Sequence, residues 1–122
     1  MYIENSKNPI QDLSFNFAVR VVKFYKNLTE QKRIFVLSKQ ILRSGTSIGA
    51  NVRESIHAQS VADFVNKLNI ALKEADETLY WLELLYSSDI INEKEFNSLS
   101  DDVKQIIGTL VKIIKSKKVL PQ

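Results

Sequence analysis

The chain has 122 residues, 44% of them apolar and 25% charged, with a formal net charge of +3. That length and balance suit one folded domain with its own core and exclude wholesale disorder. Three Gly, two Pro, one His and no Cys argue against a turn-rich all-β fold and exclude a disulfide frame, a zinc knuckle and a thiol nucleophile.

The first helix is expected over about 9–28. Asn8 suits the N-cap and Pro9 the first helical position, where its missing N–H costs nothing. Ile10, Leu13, Phe17, Val21, Phe24 and Leu28 recur every three or four residues and make one face. Phe15, Ala18, Val22 and Tyr25 form a second stripe, which suggests cover on both sides.

The second helix is expected over about 31–58, with Ile34, Leu37, Ile41, Gly45, Ile48, Val52 and Ser55 inward. Its middle, Ser44-Gly45-Thr46-Ser47-Ile48-Gly49-Ala50, has poor helix propensity, and each Gly costs about 1 kcal/mol relative to Ala. The apolar phase nevertheless crosses the glycines without a slip. The expectation is therefore an unbroken helix, its small residues admitting a neighbouring backbone.

The third helix, about 61–87, opens on Ser60 with Asp63 three residues on, a variant capping box. Phe64, Val65, Leu68, Leu72, Ala75, Leu79, Leu82 and Tyr86 form its expected core stripe, with Ile70, Trp81 and Leu84 opposite. The fourth, about 93–118, opens on Asn92 with Glu95 at the same offset. Phe96, Leu99, Val103, Ile106, Leu110 and Ile113 make a bundle-type seam, widened by Ile107, Val111 and Ile114. The Lys-rich run from Lys112 to Lys118 suits a helix C-terminus, and the tail Val119-Leu120-Pro121-Gln122 is expected to fray. Short links at 28–32, 57–60 and 87–92 set successive helices side by side. The expected fold is all-α, a single-domain up-down-up-down four-helix bundle.

Charge is segregated along the chain. Residues 13–53 carry net +7, residues 60–103 net −7 and residues 104–118 net +5. Neighbouring helices of opposite sign can pair, and a basic segment can attract phosphate. Opposite the core face of the second helix lie Lys32, Lys39, Arg43, Thr46, Ala50, Arg53 and His57. This is a basic ridge with small residues in it, which Arg20, Lys23 and Lys26 on the first helix extend. Clustered cations on one side of a rigid element are what a polyphosphate needs. The competing reading is a solvated or ion-paired helix face.

Catalytic chemistry finds little support. Glu54-Ser55-Ile56-His57 matches half of a bundle di-iron motif, but the chain has no second His, and the phase turns both residues away from Ile48 and Val52. Ser44, Thr46 and Ser47 have no neighbouring base, and no nucleophile-elbow or phosphate-loop spacing occurs. No enzyme activity, metal or cofactor is expected. No apolar run approaches the ~18 residues of a membrane span. The opening MYIENSKNPIQD shows no basic-then-apolar leader pattern, so a cytoplasmic protein without a membrane partner is expected.

The run Arg43-Ser44-Gly45-Thr46-Ser47-Ile48-Gly49-Ala50-Asn51-Val52-Arg53-Glu54-Ser55 resembles the signature of a bacterial four-helix-bundle protein family. The downstream set Phe64, Leu68-Asn69-Ile70-Ala71-Leu72-Lys73-Glu74-Ala75, Glu77-Thr78 and Tyr80-Trp81-Leu82 agrees with it. That family includes proteins encoded in intervening sequences of large-subunit ribosomal RNA genes and the accessory variability proteins of diversity-generating retroelements. The resemblance runs from about residue 8 to 118 and departs where members often carry Ala-Glu-Gly against Arg53-Glu54-Ser55 here. It implies a ring-like homopentamer and no enzymatic activity. For the retroelement branch it also implies nucleic-acid binding through a basic surface and association with a reverse transcriptase.

Together these readings lead to a non-enzymatic oligomeric bundle that binds RNA or DNA, or serves as an adaptor, through Lys32, Lys39, Arg43, Arg53, Arg20 and Lys23. The alternative is a structural or protein-partner module, such as a reverse transcriptase accessory subunit, with no direct nucleic-acid contact. Phe15, Val22 and Tyr25 on the first helix and Ile70, Trp81 and Leu84 on the third are apolar away from the seam, and are the expected contacts between copies.

Overall fold

In a computed structural model that describes residues 8–118, the chain forms four helices: α1 (Pro9–Glu30), α2 (Val36–Ile56), α3 (Val61–Ser87) and α4 (Glu93–Lys118). The expectation for the tail, Val119 to Gln122, lies outside the described residues. Three helix starts follow from the local sequence. Asn8 Oδ1 accepts from the Gln11 amide at 3.3 Å, Ser60 Oγ from that of Asp63 at 3.0 Å and Asn92 Oδ1 from that of Glu95 at 2.8 Å. Each cap satisfies one of the amides that a helix start leaves without an intrahelical partner.

The end of α3 is equally specific. Asp89 takes a left-handed backbone (φ 61°), the Asp89 amide donates to the Tyr86 carbonyl, and the Ile90 amide donates to that of Leu85 at 2.9 Å. This is a Schellman closure with Asp in the position that glycine usually holds.

The start of α2 differs from the sequence reading. It begins at Val36, five residues after the expected Gln31, while α1 runs on to Glu30. Between them the chain reverses. The Lys32 amide donates to the Asn27 carbonyl at 3.3 Å and the Ile34 amide to that of Leu28 at 2.8 Å, across a left-handed Arg33 (φ 58°). Residues 31–35 therefore close α1 instead of opening α2. Ile34 packs on the core and Phe35 is left outside.

α1 packs against α2 and α4, and α3 against the same two, so the helices stand around a square in up-down-up-down order. The α1–α4 seam is the least closely packed of the four. Phe17, Val21 and Leu28 of α1, Ile41, Ile48 and Val52 of α2, Leu68, Leu82 and Leu85 of α3, and Val103, Ile106 and Leu110 of α4 meet in one fully buried cluster.

α2 is continuous through residues 44–50, as the phase predicts. Gly45 faces α1, where a Cβ would stand 2.8 and 2.9 Å from the two methyl carbons of Val21. At Gly49 a Cβ would come within 3.3 Å of the Ser14 carbonyl oxygen. Gly45 thus makes room for the Val21 side chain, and Gly49 is where the α1 backbone itself comes close to α2.

On the other side of α2, the deepest line of α3 is Leu68, Ala71, Ala75, Thr78, Leu82 and Leu85. The larger Phe64, Val65, Leu72, Leu79 and Tyr86, expected in the core stripe, lie on its flanks and are only partly buried. The shift has a steric cause. α2 offers small residues here, so the small residues of α3 lie deepest and the two helices close together. The buried Thr78 hydroxyl sits 2.9 Å from that of Ser44 and 2.8 Å from the Glu74 carbonyl. Both contacts are satisfied when Ser44 donates to Thr78 and Thr78 donates to the carbonyl.

Candidate nucleic-acid interface

The basic ridge of α2 divides into paired and unpaired cations. Arg43, at its centre, lies across α3. Its Nη1 donates to both carboxylate oxygens of Glu74 at 3.2 and 3.3 Å, and its Nη2 makes a close hydrogen bond to Glu77 Oε2. Trp81 Nε1 donates to the same Glu77 oxygen at 3.1 Å. The donated bond from Trp81, then those from Arg43, hold the Glu77 carboxyl below its ordinary range. The bond to Glu77 raises the Arg43 guanidinium against the opposing effect of burial, and the field of Glu74 adds to the rise.

Lys32 is not on α2. Its Nζ donates to the Ile90 carbonyl at 2.6 Å and stands 3.8 Å from Glu95, which ties the α1–α2 connection to the α3–α4 turn. Arg20 bridges the open α1–α4 seam, from Nη1 to Asp102 at 2.5 Å and from Nη2 to the Ser98 hydroxyl at 2.8 Å. Lys23 is exposed nearby, beside a groove of about 440 Å³ that Phe24, Lys94 and Leu99 also line.

Lys39 and Arg53 are different. Both are exposed, and among the described residues neither has an acidic side chain within ion-pairing distance. Fourteen residues of helix separate them by about 21 Å on one side of α2. Arg53 borders a shallow concavity between α1 and α2, of about 390 Å³, whose other lining includes Phe15, Ala18, Thr46, Gly49 and Ala50. Glu54 pairs with Lys67 at 3.0 Å, its hydrogen bond being the main cause of the raised Lys67 pKa. His57 is exposed at the C-cap of α2. Among the described residues no group of three or more His, Cys, Asp or Glu side chains is placed to share a metal ion.

Of the apolar residues expected between copies, Val22 is 42% exposed, while Phe15, Tyr25, Ile70, Trp81 and Leu84 are half-buried within the single chain. Trp81 meets the exposed ring of Tyr80 edge-on at 5.0 Å. Among the exposed apolar residues outside the sequence reading are two neighbours before and at the start of α2, Phe35 at 50% and Val36 at 74%. Both lie within the expected span of the second helix, about 31–58. The signal available was the six-residue step from Leu28 to Ile34, which falls outside the three-and-four spacing of a continuous helical face.

No helix of the described residues is long and apolar enough to cross a membrane. The residue pattern of the 23S rRNA-intervening sequence protein family matches residues 6–112. No curated protein matches the chain. Among solved structures, the chain is similar to a protein of unknown function from the S23 ribosomal protein family of Bacteroides thetaiotaomicron. The two are 57% identical, the match covers 87% of this chain and 98% of that one, and the TM-score is 0.86. Within this fold the signature residues Arg43, Ser44, Gly45, Gly49, Glu74, Glu77 and Thr78 lock α2 to α1 and α3. By its sequence over residues 6–112 and by its four-helix bundle, the chain belongs to the 23S rRNA-intervening sequence protein family.

Proposed function

We propose that this bundle is a non-enzymatic, homo-oligomeric protein that binds the phosphate backbone of RNA or DNA. The observation that carries the reading is the pair of exposed, unpaired cations on one side of α2, Lys39 and Arg53, beside small residues that let a strand approach. Two cations alone bind weakly, but repetition of the strip on each copy of an oligomer multiplies effective concentration along a polyanion. Five copies follow from the family resemblance. Arg43 is a secondary contact, because Glu74 and Glu77 already hold its guanidinium.

The test is retention of generic RNA and DNA by the parent and by Lys39→Glu with Arg53→Glu. The parent is expected to bind at about 50 mM salt and to release steeply as salt rises. The double variant should lose binding with its helicity and sedimentation unchanged. Substituting Arg43 instead would break the α2–α3 ion pairs and confuse the outcome.

The adaptor reading draws on a separate observation. Arg43, Arg20 and Lys32 all hold partners within the chain, which shrinks the basic surface that the sequence suggests. No retention by the parent at about 50 mM salt, where phosphate contacts are strongest, decides for that reading.

A further inference from the structure

Among the described residues, the α1–α2 connection presents the most exposed aromatic side chain on the basic part of the molecule. Phe35 is 50% exposed at the N-cap of α2, and Val36 beside it is 74% exposed. The Arg33 guanidinium lies over the Phe35 ring, 5.7 Å from its centre. The segment is held from several sides. Arg33 is fixed in its left-handed conformation by the Lys32 and Ile34 amides, which close back on α1. Lys32 is tied to the Ile90 carbonyl and Glu95, Ile34 is anchored in the core, and the Ser38 hydroxyl donates to the Phe35 carbonyl at 3.0 Å. An aromatic ring on so fixed a backbone loses little freedom when something stacks on it.

The surrounding charge selects the occupant. From residue 23 to residue 43 the chain carries Lys23, Lys26, Lys32, Arg33, Lys39 and Arg43 against Glu30 alone, and Lys39 lies one turn beyond Phe35. A flat apolar ring beneath a planar cation, with the unpaired Lys39 one turn away, complements a flat, electron-rich ring attached to a phosphate. We infer that Phe35 and Arg33 form a stacking platform for an unpaired nucleobase of a single-stranded nucleic acid, with Lys39 taking the adjoining phosphate. This rests on the nucleic-acid reading above and adds to it a strand preference. A duplex keeps its base faces stacked on each other and offers none to the ring.

The experiment uses an oligonucleotide carrying 2-aminopurine, as a single strand and as a duplex of the same sequence, with the full chain, Phe35→Tyr and Phe35→Leu. Leu keeps apolar bulk at the site and removes the π face, and the exposed position makes both variants safe for folding. The parent is expected to bind the single strand about tenfold more tightly than the duplex and to change the aminopurine fluorescence on binding. Phe35→Tyr should preserve both effects. Phe35→Leu should lose the preference by weakening single-strand binding alone. Equal single-strand affinity in the parent and Phe35→Leu overturns the platform and leaves backbone binding standing. A parent that retains neither form at about 50 mM salt removes the nucleic-acid reading itself, and the platform with it. If Phe35→Leu alters sedimentation but not nucleic-acid affinity, the patch is a contact between copies and the platform is likewise overturned.

Discussion

Arg43 shows how one side chain can be read two ways. Its period on α2 places it among the outward cations, yet across the groove it meets two carboxylates, one of them also held by Trp81. Because the folded protein depresses the Glu77 carboxyl, that group stabilises the fold above its unfolded value near 4.5 and ceases to do so as pH falls through the lower folded value. The groups are partly exposed, so the gain is about 1 kcal/mol or less. Urea titrations should therefore find Glu77→Gln less stable than the parent at pH 7, with the gap constant down to about pH 5 and closing under more acidic conditions. A gap that stays open at pH 2 would mean that the amide perturbs packing and not charge.

Two glycines on two helices are expected to behave in opposite ways. Gly45 meets the buried Val21 so closely that even a Cβ would stand under 3 Å from its methyl carbons. Gly45→Leu should overpack the α1–α2 contact and lower stability by about 1–3 kcal/mol. Val21→Ala in the same chain should return part of that loss, because the two sites share one contact. Gly108 on α4 is exposed, with nothing within 4 Å of its absent Cβ, so Gly108→Ala should raise stability by up to about 1 kcal/mol through helix propensity alone. Midpoints of chemical unfolding measure both. A neutral Gly45→Leu would show that α1 can move away from α2 at little cost.

At the scale of the whole molecule, the exposed Val22 on α1 and Tyr80 on α3 leave apolar surface on two sides of the bundle. The first half of the chain is basic and the middle is acidic, so one copy can offer its α1 face around Val22 to the α3 side of the next and keep the α2 strip of Lys39 and Arg53 open. Such a head-to-tail contact closes into a ring when the rotation allows. Light scattering at micromolar concentration should report an oligomer, and Val22→Glu with Tyr80→Glu should reduce it to monomers without loss of helicity. A monomeric parent removes the assembly and the multiplied binding that depends on it.

The helices, their caps at Asn8, Ser60 and Asn92, and the unbroken course of α2 through its glycines were all legible in the sequence, because they depend on spacing and on hydrogen bonds between residues three or four apart. The outward position of Lys39 and Arg53 followed from the same period. The partners of Arg43 did not, because Glu74 and Glu77 are more than thirty residues away and meet it only in one register of α2 against α3. Small residues on both helices set that register, which also brought Ala71 and Thr78 deeper than the larger Leu72 and Leu79. Phe35 was misplaced for a related reason: its residues are compatible with a helix, and only the need to turn α1 back onto α2 draws residues 31–35 into a closing turn and leaves the ring outside. Local periodicity thus determines which surfaces a helix has, while which charges remain free on those surfaces depends on how closely the neighbouring helix can approach.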